Sequence, residues 1–236
     1  MERSIRHVPR SVLGALAVAL AIQLGSKALL VPAASGAEDL APAPGMSMLR
    51  LAGFGDPIPL AKLLMLYLQA FDYQSGTRVP YQALDYERLQ AWLARILELD
   101  PAGQYPLHAA SRLYAEVPDN EKRRKMLDFI YKEFQKDPGR RWPWLAHAAV
   151  VAKQQLKDLP LARKYAAAIQ EHAKGEDVPL WARQMQAFIL EDMNELETAK
   201  IMIGGFIQSG MVKDPGELRF LEGRLKEIEA RIGAGK

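Results

Sequence analysis

The sequence predicts an all-α protein: a right-handed α-solenoid of about four helix pairs with a C-terminal capping helix, preceded by an N-terminal transmembrane or signal helix. Three observations predict it. From residue 57 onward apolar residues recur with helical period, and no stretch alternates with period two for long enough to make a strand. Pro106, Pro143, Pro179 and Pro215 are spaced 37, 36 and 36 residues apart, each placed to start the first helix of a pair. Pro suits the first helical turn, where its missing N–H would have had no partner. Finally, an uninterrupted apolar run, Val12–Ile22, follows three arginines.

The 236 residues are 49% hydrophobic and 25% charged, a globular and not a disordered composition. With no Cys, disulfides, thiolate metal sites, Cys nucleophiles and a lipidated Cys are excluded. The net charge of +3 and the pI near 9.0 suggest a nucleic-acid partner until they are located. Residues 1–37 hold Arg3, Arg6, Arg10 and Lys27 against Glu2, which is the whole excess. The other 199 residues carry 27 basic and 27 acidic side chains, so nucleic acid is not an expected partner.

Residues 1–37 fit two readings. One is a cleaved secretory signal with a basic start, an apolar core and small-x-small exits at Ser26/Ala28 or Ser35/Ala37. The other, which we favour, is an uncleaved anchor over residues 12–31, about the length of a bilayer core at 1.5 Å per residue. Lys27 would snorkel to the headgroups. Cleavage after Ala37 needs a long c-region. Both readings export the rest of the chain and keep the arginines inside. The expected location is the outer face of a bacterial inner membrane or, after cleavage, the periplasm. Residues 38–56 are rich in Pro, Gly and Ala and read as a linker, with Met48, Leu49 and Leu51 available to pack on the next helix.

The repeat domain spans 57–236. Leu60, Leu63, Leu64, Tyr67, Leu68 and Phe71 form one helical face, and Tyr86, Leu89, Leu93, Ile96 and Leu97 another. Gly and Pro in residues 74–84 mark an inserted loop. Leu145, Ala148, Ala149, Ala152 and Leu156 continue the pattern, as do Leu196, Ala199, Ile203, Phe206 and Ile207. The pairs fall at 57–99, 103–137, 141–174 and 178–209. A last helix over 214–232 has a Leu/Ile stripe and is otherwise charged, as a solenoid cap requires. Gly204-Gly205 is expected to admit a close neighbouring helix, as Ala166–Ala168 would allow.

A period of 33–40 residues with two helices per unit signals a helical solenoid. The stretch Ile96-Leu-Glu-Leu-Asp-Pro101, echoed by Lys136-Asp-Pro138 and Lys213-Asp-Pro215, resembles the end of a tetratricopeptide (TPR) unit. Trp144 and Trp181 follow repeat boundaries, and Ala162 and Ala199 open second helices, as in that family. The period departs from the family's 34 residues. The resemblance implies that first helices line a concave groove that binds peptides. The groove residues it marks here are Lys62, Tyr67, Arg112, Trp142, His147, Lys153, Arg183 and Gln184, with Gln69 and Ser111 beside them. Their basic bias implies an acidic or C-terminal carboxylate ligand.

No phosphate loop, dinucleotide fingerprint, nucleophile elbow or zinc helix motif is present, so no catalytic role is expected. His7, His108, His147 and His172 lack the spacing for a helical metal pair, and neither metal nor cofactor is expected. Arg140-Arg-Trp-Pro-Trp144 is either an aromatic and cationic anchor for a partner or a packed boundary. The basic run 121–125 is flanked by acids and reads as a solvated helix start. The expected function is a non-enzymatic scaffold for other envelope proteins or peptides. A periplasmic chaperone or assembly factor is the alternative. An envelope hydrolase is the remote one, with Glu191/Asp192 the acidic pair to check.

Overall fold

The computed structural model describes residues 9–29, 40–70, 83–175 and 177–234. Among them the protein is all-helical. The helices are α1 (Arg10–Leu29), α2 (Met46–Ala52), α3 (Pro57–Ala70), α4 (Tyr86–Leu99), α5 (Tyr105–Arg112), α6 (Asn120–Lys136), α7 (Pro138–Gln154), α8 (Leu159–His172), α9 (Leu180–Asp192), α10 (Leu196–Gln208) and α11 (Pro215–Ala234). A 3-10 turn, Tyr114–Glu116, joins α5 to α6.

From α2 onward each helix packs chiefly on its neighbours in sequence, with α4 on α6 and α5 on α7 added. Local chemistry sets the boundaries. Asp85, Asp119 and Asp158 cap the second helices α4, α6 and α8, each carboxylate accepting first-turn backbone N–H groups at 2.9–3.2 Å. Such a cap satisfies donors the helix cannot. The turns α7–α8 and α9–α10 pass through left-handed residues, Lys157 (φ 56°) and Asn194 (φ 61°), one period apart.

Side-chain bonds also join helices well apart in sequence. Trp144 Nε1 donates to Gln104 Oε1 (2.7 Å, 40 residues apart), Gln90 Nε2 to the Lys125 carbonyl (2.6 Å, 35 apart) and Arg163 Nη1 to Glu195 Oε1 (3.0 Å, 32 apart). The core runs from Leu40 to Ile189, and a smaller cluster around Ala187, Leu190, Ile203, Leu221 and Ile228 closes the C-terminal end. Two buried carboxylates are clamped by cations. Glu133 takes Arg141 (2.8 Å) and Lys136 (2.6 Å); Glu191 takes Arg224 (2.9 Å) and Arg231 (2.7 Å).

Several expectations are corrected. Pro143 lies inside α7, which starts at Pro138 one turn earlier. Residues 38–56 are more than a linker: Leu40 and Leu49 are buried and 46–52 are helical. Arg88 and Trp92 on α4 hold the Leu40 and Ala41 carbonyls at 2.8 Å, which fastens this stretch to the domain. Met48 and Leu51, in contrast, are exposed. A Cβ on Gly204 or Gly205 would meet nothing within 4 Å, so these glycines admit no close neighbour. Apart from these corrections, the apolar part of α1 runs over Ser11–Gln23, and no single helix among the described residues is long and apolar enough to cross a membrane. Residues 30–31 of the expected span, the Ser35/Ala37 exit, Phe71 and most of the 74–84 insertion lie outside the described residues.

Candidate binding groove

A groove of about 460 Å³ opens between α3 and the start of α5. Helical spacing on α3 brings Ala61, Met65 and Leu66 to it, and Ile96 of α4 completes an apolar floor. Lys62, Gln69, Asp100, Gln104 and Tyr105 supply a polar rim. Gln69 donates to the Tyr105 hydroxyl, tying the two first helices together one period apart. Such a site suits an apolar side chain flanked by hydrogen-bonding groups.

Aromatic rings continue from the rim onto α7. Tyr105 stacks on His108 at 5.6 Å, and His108 meets Trp144 edge-on at 5.4 Å. Trp144 is fixed by its bond to Gln104. One turn further, His147 Nε2 lies 3.8 Å from Glu116 Oε1. Burial holds the His147 imidazole below its ordinary value; Arg112 and His108 push the same way, against Glu116 and a backbone bond at Ser111. His147 is therefore neutral at pH 7. The Nδ1 atoms of His108 and His147 are shielded from solvent without a hydrogen-bond partner. Among the described residues no three His, Asp or Glu side chains are placed to hold a metal.

The predicted site residues separate into two sets. Lys62 lines the groove, Tyr67 is exposed and packs on Trp92 at 5.2 Å, and Arg112 and His147 belong to the α5–α7 cluster. The others are occupied by the fold. Lys153 pairs with Asp192, and Arg183 donates to the Gly175 carbonyl (2.7 Å). Gln184 is only 3% exposed and donates to Glu217 of α11 at 3.2 Å, so it lines no open groove. Trp142 is half-buried, edge-on to Trp181 at 5.5 Å. Within the RRWPW run, Arg141 is buried on Glu133 and faces no open surface, while the exposed Arg140 pairs with Asp137 (2.6 Å). The basic bias of the groove thus shrinks to Lys62 and Arg112. Sequence reasoning missed Gln104, Tyr105 and Asp100. The signal was present: Tyr105 follows Gln69, and Trp144 follows Gln104, by one repeat.

Compared with protein-family models, curated proteins and solved structures, the chain matches none.

Proposed function

We propose that the protein is a non-enzymatic, TPR-like scaffold: a right-handed α-solenoid anchored by residues 12–31 on the outer face of a bacterial inner membrane. Its groove between α3 and α5 takes a segment of another envelope protein. The groove itself carries the reading, being an apolar floor with a polar rim built where two first helices meet. Support for the solenoid comes from nearest-neighbour packing and from side-chain bonds between residues 32 to 40 apart, a range that brackets the spacing of the prolines. Lys62 offers a point charge to a carboxylate, while Gln69, Gln104 and Tyr105 read backbone groups. The apolar floor favours a ligand with one buried aliphatic or aromatic side chain.

The test uses the full chain in native membranes, with a photoreactive phenylalanine analogue at Tyr105 and, in a second variant, at Phe220. Both positions are exposed, and Phe220 lies on α11, far along the sequence from the groove. The expected result is a discrete cross-linked protein from position 105 that is absent from position 220. Identical or empty patterns from the two positions overturn the assignment of the groove.

A further inference from the structure

In water a terminal repeat needs a polar outer face. The α2–α3 end is finished mostly with apolar side chains. Residues 40–70 contain three charged side chains, Arg50, Asp56 and Lys62, and all three are exposed. Ala61, Met65 and Leu68 of α3 are buried in the core. The opposite half of the helix, which should be polar, presents Leu63 and Leu66 to solvent, and Ile58 is exposed at its first turn. Met48 and Leu51 of α2 are exposed on one helical face, three residues apart. At the apex between the helices stands Phe54, 97% exposed and in a left-handed backbone conformation (φ 47°), followed by Gly55 at φ 91°. A bulky residue with positive φ is costly, and such strain clusters where a segment contacts a ligand.

We propose that this elbow is a lipid-binding element, lying in the membrane surface with Phe54 at its tip. The inference rests on the anchored topology proposed above. Two further observations select lipid over a protein occupant. Ten residues separate α1 from Leu40, and a chain of that length reaches at most about 35 Å. An α1 inserted in the bilayer would therefore hold the elbow near its surface. The elbow's charge is also net positive, with Arg50 and Lys62 against Asp56, which suits anionic headgroups. Together α2 and α3 are apolar enough to cross a membrane, but they are bent by 112° and α3 is half-packed in the core. The pair therefore lies along the surface and does not span it.

The absence of Cys makes the test clean. Single variants Leu16→Cys, Phe54→Cys, Leu63→Cys and Glu222→Cys of the full chain are labelled with bimane. They are reconstituted in phosphatidylethanolamine–phosphatidylglycerol vesicles, with and without brominated acyl chains. The labels at 54 and 63 are expected to lose most of their emission to the brominated lipid, and the label at 222 to lose none. Quenching at 16 but not at 54 or 63 overturns the elbow and leaves the anchor standing. Quenching at 54 and 63 without 16 does the reverse. Labels at 54 and 63 that are shielded from aqueous iodide yet blind to brominated lipid mean that α1 or a second copy covers the face, which also overturns the proposal. Equal quenching at 222 reports adsorption of the whole chain and overturns it as well.

Discussion

At the C-terminal end, α11 lays Leu221 and Ile228 on the α9–α10 pair and turns Glu222, Lys226 and Glu229 to water. At the N-terminal end, α3 lays Ala61, Met65 and Leu68 on the core and turns Ile58 and Leu63 to water. The inner halves are built alike; the outer halves are opposite. Packing of one face does not dictate the chemistry of the other, so the difference is information about surroundings. An end finished with charge is complete in solvent. An end finished with Met, Leu and Phe is complete only against something apolar.

The largest effects test how each region holds its buried acid. Arg141→Ala leaves Glu133, 4% exposed, with only the solvent-reaching Lys136. Stability should fall by about 3–5 kcal/mol, because a buried carboxylate loses its main partner. At the C-terminal end Arg224→Ala should cost about 1 kcal/mol at most, since Arg231 keeps its bond to Glu191 and Arg224 is well exposed. Urea titrations of the full chain in detergent, followed by circular dichroism, read both. Equal losses would mean that the C-terminal clamp is as desolvated as the central one.

Truncating apolar side chains compares the ends directly. Leu221→Ala should cost about 2–5 kcal/mol by opening a cavity under α11. Leu63→Ser should stay within about 0.5 kcal/mol, as an exposed side chain contributes little to folding. A large cost at Leu63 in lipid-free detergent would show that the folded chain itself covers the N-terminal face.

How much of this was legible in the sequence follows from the same physics. Periodicity exposes whatever a helix buries against its neighbours, so the helix pairs and the α11 stripe were readable. The position of Pro143 was not, because Pro138 begins α7 equally well and the helix tolerates a second Pro one turn later. Groove membership was readable by face and not by occupancy. Lys153 and Gln184 fall on the expected helices, yet their partners Asp192 and Glu217 lie about one repeat away. Only the lateral packing of units brings those pairs together. The apolar outer half of α3 is visible in its composition, but periodicity alone reads such a helix as core on both sides.

The helix caps sharpen the comparison at smaller scale. Asp85 starts α4 at the N-terminal end, whereas α10 begins at Glu195, whose side chain makes no cap bond. Asp85→Ala should cost about 1 kcal/mol. The Arg88 backbone N–H, with help from Glu87 and the Arg88 and Lys125 charges, holds the Asp85 carboxyl below its ordinary 3.8, against slight burial. Its contribution is present in full above that value and is lost as pH falls through the lower folded value. The variant should show less acid sensitivity below pH 4 than the parent, and an unchanged acid limb would remove Asp85 from that role.

The smallest effect lies beside the groove, in the α5–α7 cluster. Because His147 in the folded chain is harder to protonate than its ordinary 6.5, the unfolded chain binds the proton first as pH drops. Stability is therefore complete above pH 6.5 and declines as pH falls toward the lower folded value. The slope is bounded at about 1.4 kcal/mol per pH unit for one proton. His147→Gln should flatten this limb, read as unfolding midpoints at pH 7.5 and 5.5. Arg112 and His108 oppose the charge on His147 and Glu116 favours it, so the balance responds to any anion placed beside Arg112. A bound carboxylate peptide should raise the His147 titration seen by NMR, whereas an apolar segment confined to the α3–α5 groove should leave it unmoved. That contrast separates the two ligand chemistries the site offers.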